Sequence, residues 1–95
     1  MRYEWDQKKA ATNISKHGIS FELAVTVFND PHHLSFLDSS AASEERWVTM
    51  GLAADKKTLI VIHTHDFLDN TEEVIRIISA RKATKKEARE YEEGI

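Results

Sequence analysis

The spacing of apolar residues switches between a period near two and a period near 3.6. Tyr3 and Trp5 alternate with Arg2 and Glu4, as in a short strand. Asp6 can then cap a helix that carries Ala10, Ile14 and His17 on one face, and Gly18 suits its C-terminal stop. Ser20 can cap a second helix, with Glu22 favoured by the dipole in its first turn. Phe21, Ala24, Val25 and Phe28 fall at i, i+3, i+4 and i+7 and predict a core stripe; Asn29, Asp30 and Pro31 end the helix. Residues 33–37 read as a short strand and residues 38–43 as a polar loop. Residues 46–53 alternate, with Val48, Met50 and Leu52 on one face and Trp47 and Thr49 on the other. A turn at residues 55–57 leads into 59–63, apolar enough for a central strand buried on both faces. Residues 65–71 read as a second polar connection and 73–81 as the last strand. Thr84 and Glu87 have the spacing of a capping box, opening a helix to about residue 93.

Hairpin-length connections predict an antiparallel sheet of three to five strands. With two N-terminal helices and one C-terminal helix, the fold class is α+β, a two-layer domain. Counting parity along the last strand, Arg81 groups with Ile75, Ile77 and Ser79, and Arg76 with Val74 and Ile78. This places the two arginines on opposite faces.

Composition narrows the function. Ninety-five residues, 41% of them hydrophobic, suit one folded domain spanning residues 1–95. The absence of cysteine excludes disulfides, thiolate nucleophiles and thiolate metal sites, and fits a reducing cytoplasm. No apolar run approaches the roughly 18 residues of a membrane span, and the first residues lack the apolar segment of a signal peptide. The net charge is −3, yet residues 76–89 hold six basic side chains and one acid, Glu87. Such a segment suits a phosphate-rich partner; a solvated helix face is the alternative for its three helical cations.

The residues Tyr3-Glu4-Trp5-Asp6, Lys9, Asn13, Lys16-His17-Gly18, Ser20-Phe21-Glu22, Ala24, Val27-Phe28 and Asp30 resemble the opening of BrnT-type toxins. Glu45-Arg46, Gly51, Val61, His63-Thr64, the run from Arg76 to Ala83, Glu87 and Tyr91 resemble the rest. The resemblance implies a RelE-like fold and a cytoplasmic ribonuclease toxin of a type II toxin–antitoxin pair that cleaves mRNA and inhibits translation. It also implies a BrnA-like antitoxin of ribbon-helix-helix type, which covers the toxin and binds operator DNA. The chain departs from the pattern at Asp66, where an arginine is usual, and in its acidic balance. These departures motivate a second reading, a catalytically weak antitoxin-binding module acting as corepressor.

Metal-free RNA cleavage, with no cofactor, needs removal of the 2′-OH proton, donors around the phosphorane-like transition state and protonation of the 5′ oxygen. Arginine suits the second task because its planar fork binds two phosphate oxygens, and histidine suits the first and third. The candidates for charge stabilisation are Arg81, Arg76 and Arg46, with Lys82 on phosphate. Arg81 has a structural alternative in a carboxylate partner, Glu87 or Glu4. His17, at a helix end whose dipole favours its cation, and His63 are candidates for proton transfer, the alternatives being helix termination for His17 and a neutral, hydrogen-bonded core histidine for His63; Glu45 is a candidate base or a salt-bridge partner. Lys16, Lys85 and Tyr91 are candidate RNA contacts, with packing of the last helix the alternative for Tyr91. His63 and His65 are spaced to share a strand face, but without a clear third ligand they do not make a metal site.

Overall fold

The computed structural model describes residues 1–38, 45–69 and 71–94. Its elements are β1 (Arg2–Trp5), α1 (Gln7–His17), α2 (Phe21–Val25) followed by a 3-10 turn (Thr26–Asn29), β2 (Leu34–Asp38), β3 (Arg46–Leu52), β4 (Thr58–His63), β5 (Asp66–Leu68), β6 (Glu72–Lys82) and α3 (Lys85–Glu93). The polar loop read at residues 38–43 lies, beyond Asp38, outside the described residues.

Local chemistry accounts for the helix ends. The Asp6 carboxylate accepts from the amides of Lys8 and Lys9, and Gly18 closes α1 at φ 69°, a left-handed conformation that favours glycine. Ser20 caps α2 through the Leu23 amide. Thr84 and Glu87 form the reciprocal capping box of α3.

Among the described residues the sheet has six strands and is mixed. Its order is β1-β6-β4-β3-β2, with β5 pairing with β6. This corrects the expected three to five antiparallel strands. Hairpin length governs only neighbours in sequence, whereas β1 and β6 come from distant parts of the chain and pair in parallel. The connection expected at residues 65–71 also contains a strand: β5 pairs with β6 through Asp66–Val74, Phe67–Glu73 and Leu68–Glu72.

Helices α1 and α2 cover one sheet face. Phe21, Val27, Leu59, Val61, Ile75 and Ile77 form the centre of that core, with Tyr3 and Trp5 packed against it. Burying each such side chain is worth about 1.5–3 kcal/mol against leaving it exposed. The stripe expected on α2 is altered. Phe21, Ala24 and Val27 are buried, whereas Val25 and Phe28 are half-buried. The chain tightens to 3-10 geometry at Thr26, and i, i+3, i+6 is the repeat of that geometry.

The stripe read on α1 is also corrected. Ala10 and Asn13 are its buried residues, while Ile14 is 53% exposed. The helix lies over the sheet edge beyond the end of β1, where β6 would otherwise carry unpaired backbone groups. Asn13 satisfies them: its amide donates to the carbonyls of Ala80 and Ile19, and its oxygen accepts from the Ala80 amide. One side chain thus stands in for a missing strand.

A smaller cluster on the opposite face joins Met50, Ile60 and Tyr91 of α3, so helices lie on both faces and the expected two layers are corrected to three. Asp30 ties this layer to the rest, accepting from the Tyr91 hydroxyl and from the amides of Leu52 and His32. Burial, then the bond to Asp30, pushes the Tyr91 hydroxyl up to about 12. Gly51 lies close by. A Cβ there would sit 2.8 Å from Val27 Cγ1 and 3.1 Å from His33 Cβ. Gly51→Ala is therefore expected to cost about 1–3 kcal/mol through overpacking, read as a lower thermal midpoint.

Candidate functional site

The site turns on one irregularity in β6. Ile62 pairs with Ser79, but His63 pairs with Ile77, so Ile78 is an extra residue in the ladder. A bulge reverses parity beyond it. Ile77 and Ala80 both reach the helix-covered core, which regular alternation would forbid. Arg81 pairs with Ile60, and Ser79 with Ile62. Both isoleucines belong to the cluster under α3. Arg76 pairs with Glu4, between the core-facing Tyr3 and Trp5, and so also faces away from the helix-covered core. The sequence reading of Arg76 and Arg81 on opposite faces is thus corrected: the bulge brings both to one face.

Arg46 joins them, since it alternates with Trp47 and shares a face with Val48 and Met50. Arg46 and Arg76 lie level with each other across β4, about 10 Å apart by two strand spacings. Helix α3 covers one end of this face over Met50 and Ile60, while Val48 and Ile62 beside it remain half-buried. Arg46 and Arg76 are themselves half-buried, and each has protein partners of its own.

Arg81 sits at the boundary with α3, and its carboxylate partner is Glu87. The guanidinium meets Glu87 end-on, Nη1 to Oε1 at 2.7 Å and Nη2 to Oε2 at 2.9 Å, and Nη1 also donates to the Lys82 carbonyl at 3.3 Å. The expectation that this fork meets phosphate is therefore corrected. Among the described residues, the donors still without a protein acceptor are Nε–H and one Nη2 hydrogen, adjacent on the other edge of the guanidinium plane. That edge is a second parallel donor pair, in an orientation fixed by Glu87. The bonds from Arg81 hold the Glu87 carboxyl down at about 2. With an ordinary value of 4.5, the stability this pair contributes is present above pH 4.5 and lost as pH falls toward 2. The midpoint difference between wild type and Glu87→Gln is expected to shrink over that interval in thermal melts. The effect is modest, because the Arg81 side chain is 43% exposed.

Around the edge of β6, a cavity of about 310 Å³ lies between α1 and the bulge, lined by Lys8, Lys9, Lys16, His17, Ile78 and Ser79 among others. Ser79 belongs both to this cavity and to the arginine face, so the two are continuous. The structure thus sets Arg46, Arg76 and Arg81 on one sheet face, and Lys16 and His17 on α1 beside the cavity at the β6 edge. Lys8, Lys9 and Ser79 are additions to the residues read from sequence. A signal for the lysines was present: residues 7–17 contain three lysines and a histidine and no acid.

Other candidates fall elsewhere. Tyr91 is buried and its hydroxyl is committed to Asp30, so it packs α3 and offers no ring to RNA; that reading is corrected. His63 is 2% exposed on the helix-covered face, where its Nε2 lies 2.6 Å from Thr49 Oγ1. Burial lowers its basicity, and it does not face the arginines. His65 shares that face and lines the same cavity as His63, and its Nε2 lies 3.0 Å from Glu73 Oε1. Among the described residues no group of histidines and carboxylates is arranged to hold a metal ion. Glu45 is exposed just before β3, and Lys82 and Lys85 are exposed where β6 passes into α3.

Comparison with known proteins follows the same lines. The model of a family described as the ribonuclease toxin BrnT of type II toxin–antitoxin systems matches residues 5–87. A search of curated proteins finds no match. Among solved structures, the chain is similar to the ribonuclease toxin BrnT of Brucella abortus, with a TM-score of 0.55 and 24% identity over 90% of this chain and 99% of that one. At that identity the likeness supports the fold, and the family match carries the assignment. This chain belongs to the BrnT family of ribonuclease toxins of type II toxin–antitoxin systems.

Proposed function

We propose that the arginine face and the adjoining edge cavity bind and cleave single-stranded RNA without a metal ion. The observation that carries this reading is the β6 bulge, which aligns Arg76 and Arg81 on the face that also holds Arg46. The RNA backbone crosses that face and turns over the sheet edge at Ser79 into the lysines of α1. In the reaction the 2′ oxygen attacks the neighbouring phosphorus, the bond to the 5′ oxygen breaks, and a cyclic phosphate forms. The outer edge of Arg81, with Arg76 and Arg46, stabilises the charge that builds on the non-bridging oxygens. His17 transfers a proton, with Lys16, Lys82 and Lys85 holding flanking phosphates. Glu45, next to Arg46, is the candidate for the 2′ proton.

Cleavage of mRNA in the cytoplasm would stop translation, and an antitoxin of ribbon-helix-helix type would neutralise the toxin and carry it to operator DNA. The test is incubation of the purified protein with end-labelled RNA in excess EDTA. Cleavage should persist, and a single 2′-deoxy substitution at the cut position should abolish it. Cleavage that proceeds through the deoxy position would refute the mechanism. One observation favours the corepressor reading: one edge of Arg81 is already filled by Glu87. Expression that leaves growth unaffected, with tight complex formation and no RNA cleavage, would establish that reading instead.

A further inference from the structure

The open side of the sheet is β2. It is an outer strand, and among the described residues no strand pairs with its far edge. Edge strands are usually guarded by a charge, a proline or a bulge, because their free amides and carbonyls can join another chain. β1, at the other end of the sheet, follows that rule: Arg2 and Glu4 lie along it, and Arg2 pairs with Glu4 and Glu72. β2 does not. Leu34-Ser35-Phe36-Leu37 carries no charge and no proline, and it pairs with β3 over five residues without a register shift. Phe36 is 52% exposed and Leu37 49%.

The side chains of this edge select its occupant. Two copies related by a two-fold axis pair antiparallel, so each residue meets one on the same face. With the axis at Ser35, Leu34 meets Phe36 of the second copy, and Phe36 meets its Leu34. The two Ser35 hydroxyls meet at the axis, Leu37 falls opposite His33, and Asp38 falls opposite His32. Asp38 keeps its interaction within its own chain as well. Moving the axis to Phe36 would set Asp38 against Leu34 and Ser35 against Leu37. The Ser35 register joins apolar with apolar, hydroxyl with hydroxyl and acid with basic ring, and it sets no like charges opposite each other. A foreign strand could make the same backbone bonds, but this strand's own side chains already supply the match.

We infer that β2 is a self-association edge, where two copies join antiparallel about Ser35 into one continuous sheet. The axis stands perpendicular to the sheet, so both arginine faces look to the same side. Leu34 and Phe36 lie on that side, and Ser35 and Leu37 on the other. Five paired residues make a small interface, so association is reversible and depends on concentration. Pairing of this kind depends on the strand and its sequence, not on cleavage of RNA.

The chain has no cysteine, which allows a clean test of register. Ser35→Cys sets two thiols directly opposite, where paired Cα atoms lie about 4.5–5.5 Å apart, within reach of a disulfide. Phe36→Cys sets its two thiols diagonally, about 7–8 Å apart and out of reach. Under mild oxidation Ser35→Cys is expected to form a covalent dimer at least about tenfold faster than Phe36→Cys. Equilibrium sedimentation of wild type is expected to show monomer and dimer in exchange. Phe36→Lys should weaken that dimer at least about tenfold, with circular dichroism confirming the fold. Equal cross-linking of the two cysteine variants overturns the proposal, and this pair decides alone should Phe36→Lys fail to fold. Wild type that stays monomeric at millimolar concentration overturns it, as does an unweakened dimer of folded Phe36→Lys. A chain monomeric by itself, whose Phe36→Lys variant loses only the protein encoded by the adjacent reading frame, also overturns it, by assigning the edge to the antitoxin.

Discussion

Replacing Arg81 with alanine is expected to lower RNA cleavage by about 100- to 1000-fold while leaving the fold intact. That is the usual loss when one donor that stabilises transition-state charge is removed. The geometry adds a condition. Because Glu87 already binds one edge of the guanidinium, Arg81 works through its Nε and Nη2 edge, and its orientation depends on that clamp. Arg81→Lys keeps the charge but loses the fork, so most of the activity should be lost with it. Glu87→Gln should cost less than about tenfold in rate, since a charge-neutral partner still orients the fork. The alanine variant must be compared at equal folded fraction, because losing the ion pair also loosens the start of α3. A cleavage rate within threefold of wild type would show that Arg81 serves only to hold α3.

The largest expected stability loss is at Asn13. Its amide makes three hydrogen bonds, two to Ala80 and one to Ile19, at a site where its own exposure is 4%. Asn13→Ala leaves buried backbone groups unpaired, and each such group costs about 1–3 kcal/mol. Partial access of water at the edge reduces the sum, so a loss of about 2–4 kcal/mol is expected. For a domain of this size 1 kcal/mol moves the thermal midpoint by about 4–8 °C, so a fall of about 8–32 °C should be seen. Hydrogen exchange at the Ala80 amide gives a local check: its protection should fall more than that of Val61, the residue opposite it in β4. A loss below about 1 kcal/mol would show that Asn13 is not the substitute strand described above.

Much of this architecture was legible from residue pattern. Asp6, Gly18, Ser20 and the Thr84–Glu87 pair mark helix ends by local chemistry, and local chemistry is what a sequence displays directly. The apolar run at 59–63 marked the interior strand for a similar reason. What stayed hidden depends on contacts between distant residues. The parallel pairing of β1 with β6 joins residues about seventy positions apart, and no turn signal announces it. The bulge at Ile78 carries no glycine or proline, so parity counting ran straight through it and separated Arg76 from Arg81. The apolar stripe read on α1 left Asn13 out, because its partner, Ala80, is brought beside it only by the tertiary fold.

The candidate site divides the same way. The arginines and Lys16-His17 stood out by charge and by resemblance; the structure sets the arginines on one sheet face and Lys16-His17 at the β6 edge. Tyr91 and His63 stood out by residue type and by resemblance, and for both a packing role was the alternative. Both are buried, and their hydrogen bonds go to Asp30 and Thr49 rather than toward a ligand. Arg81 answered both readings at once: one edge of its guanidinium is an internal ion pair, and the other faces outward.

The central claim is one of place: RNA lies on the face that the β6 bulge creates. The most direct measurement is a titration of the isotopically labelled protein with a 2′-deoxy-substituted, non-cleavable RNA, followed by amide chemical shifts. The expected shifts cluster at Arg46, Arg76, Ser79, Arg81 and the Lys16-His17 end of α1, and they weaken as salt is raised. Shifts confined to Trp47, His65 and Phe67 on the opposite face, or none at all at saturating RNA, would contradict it.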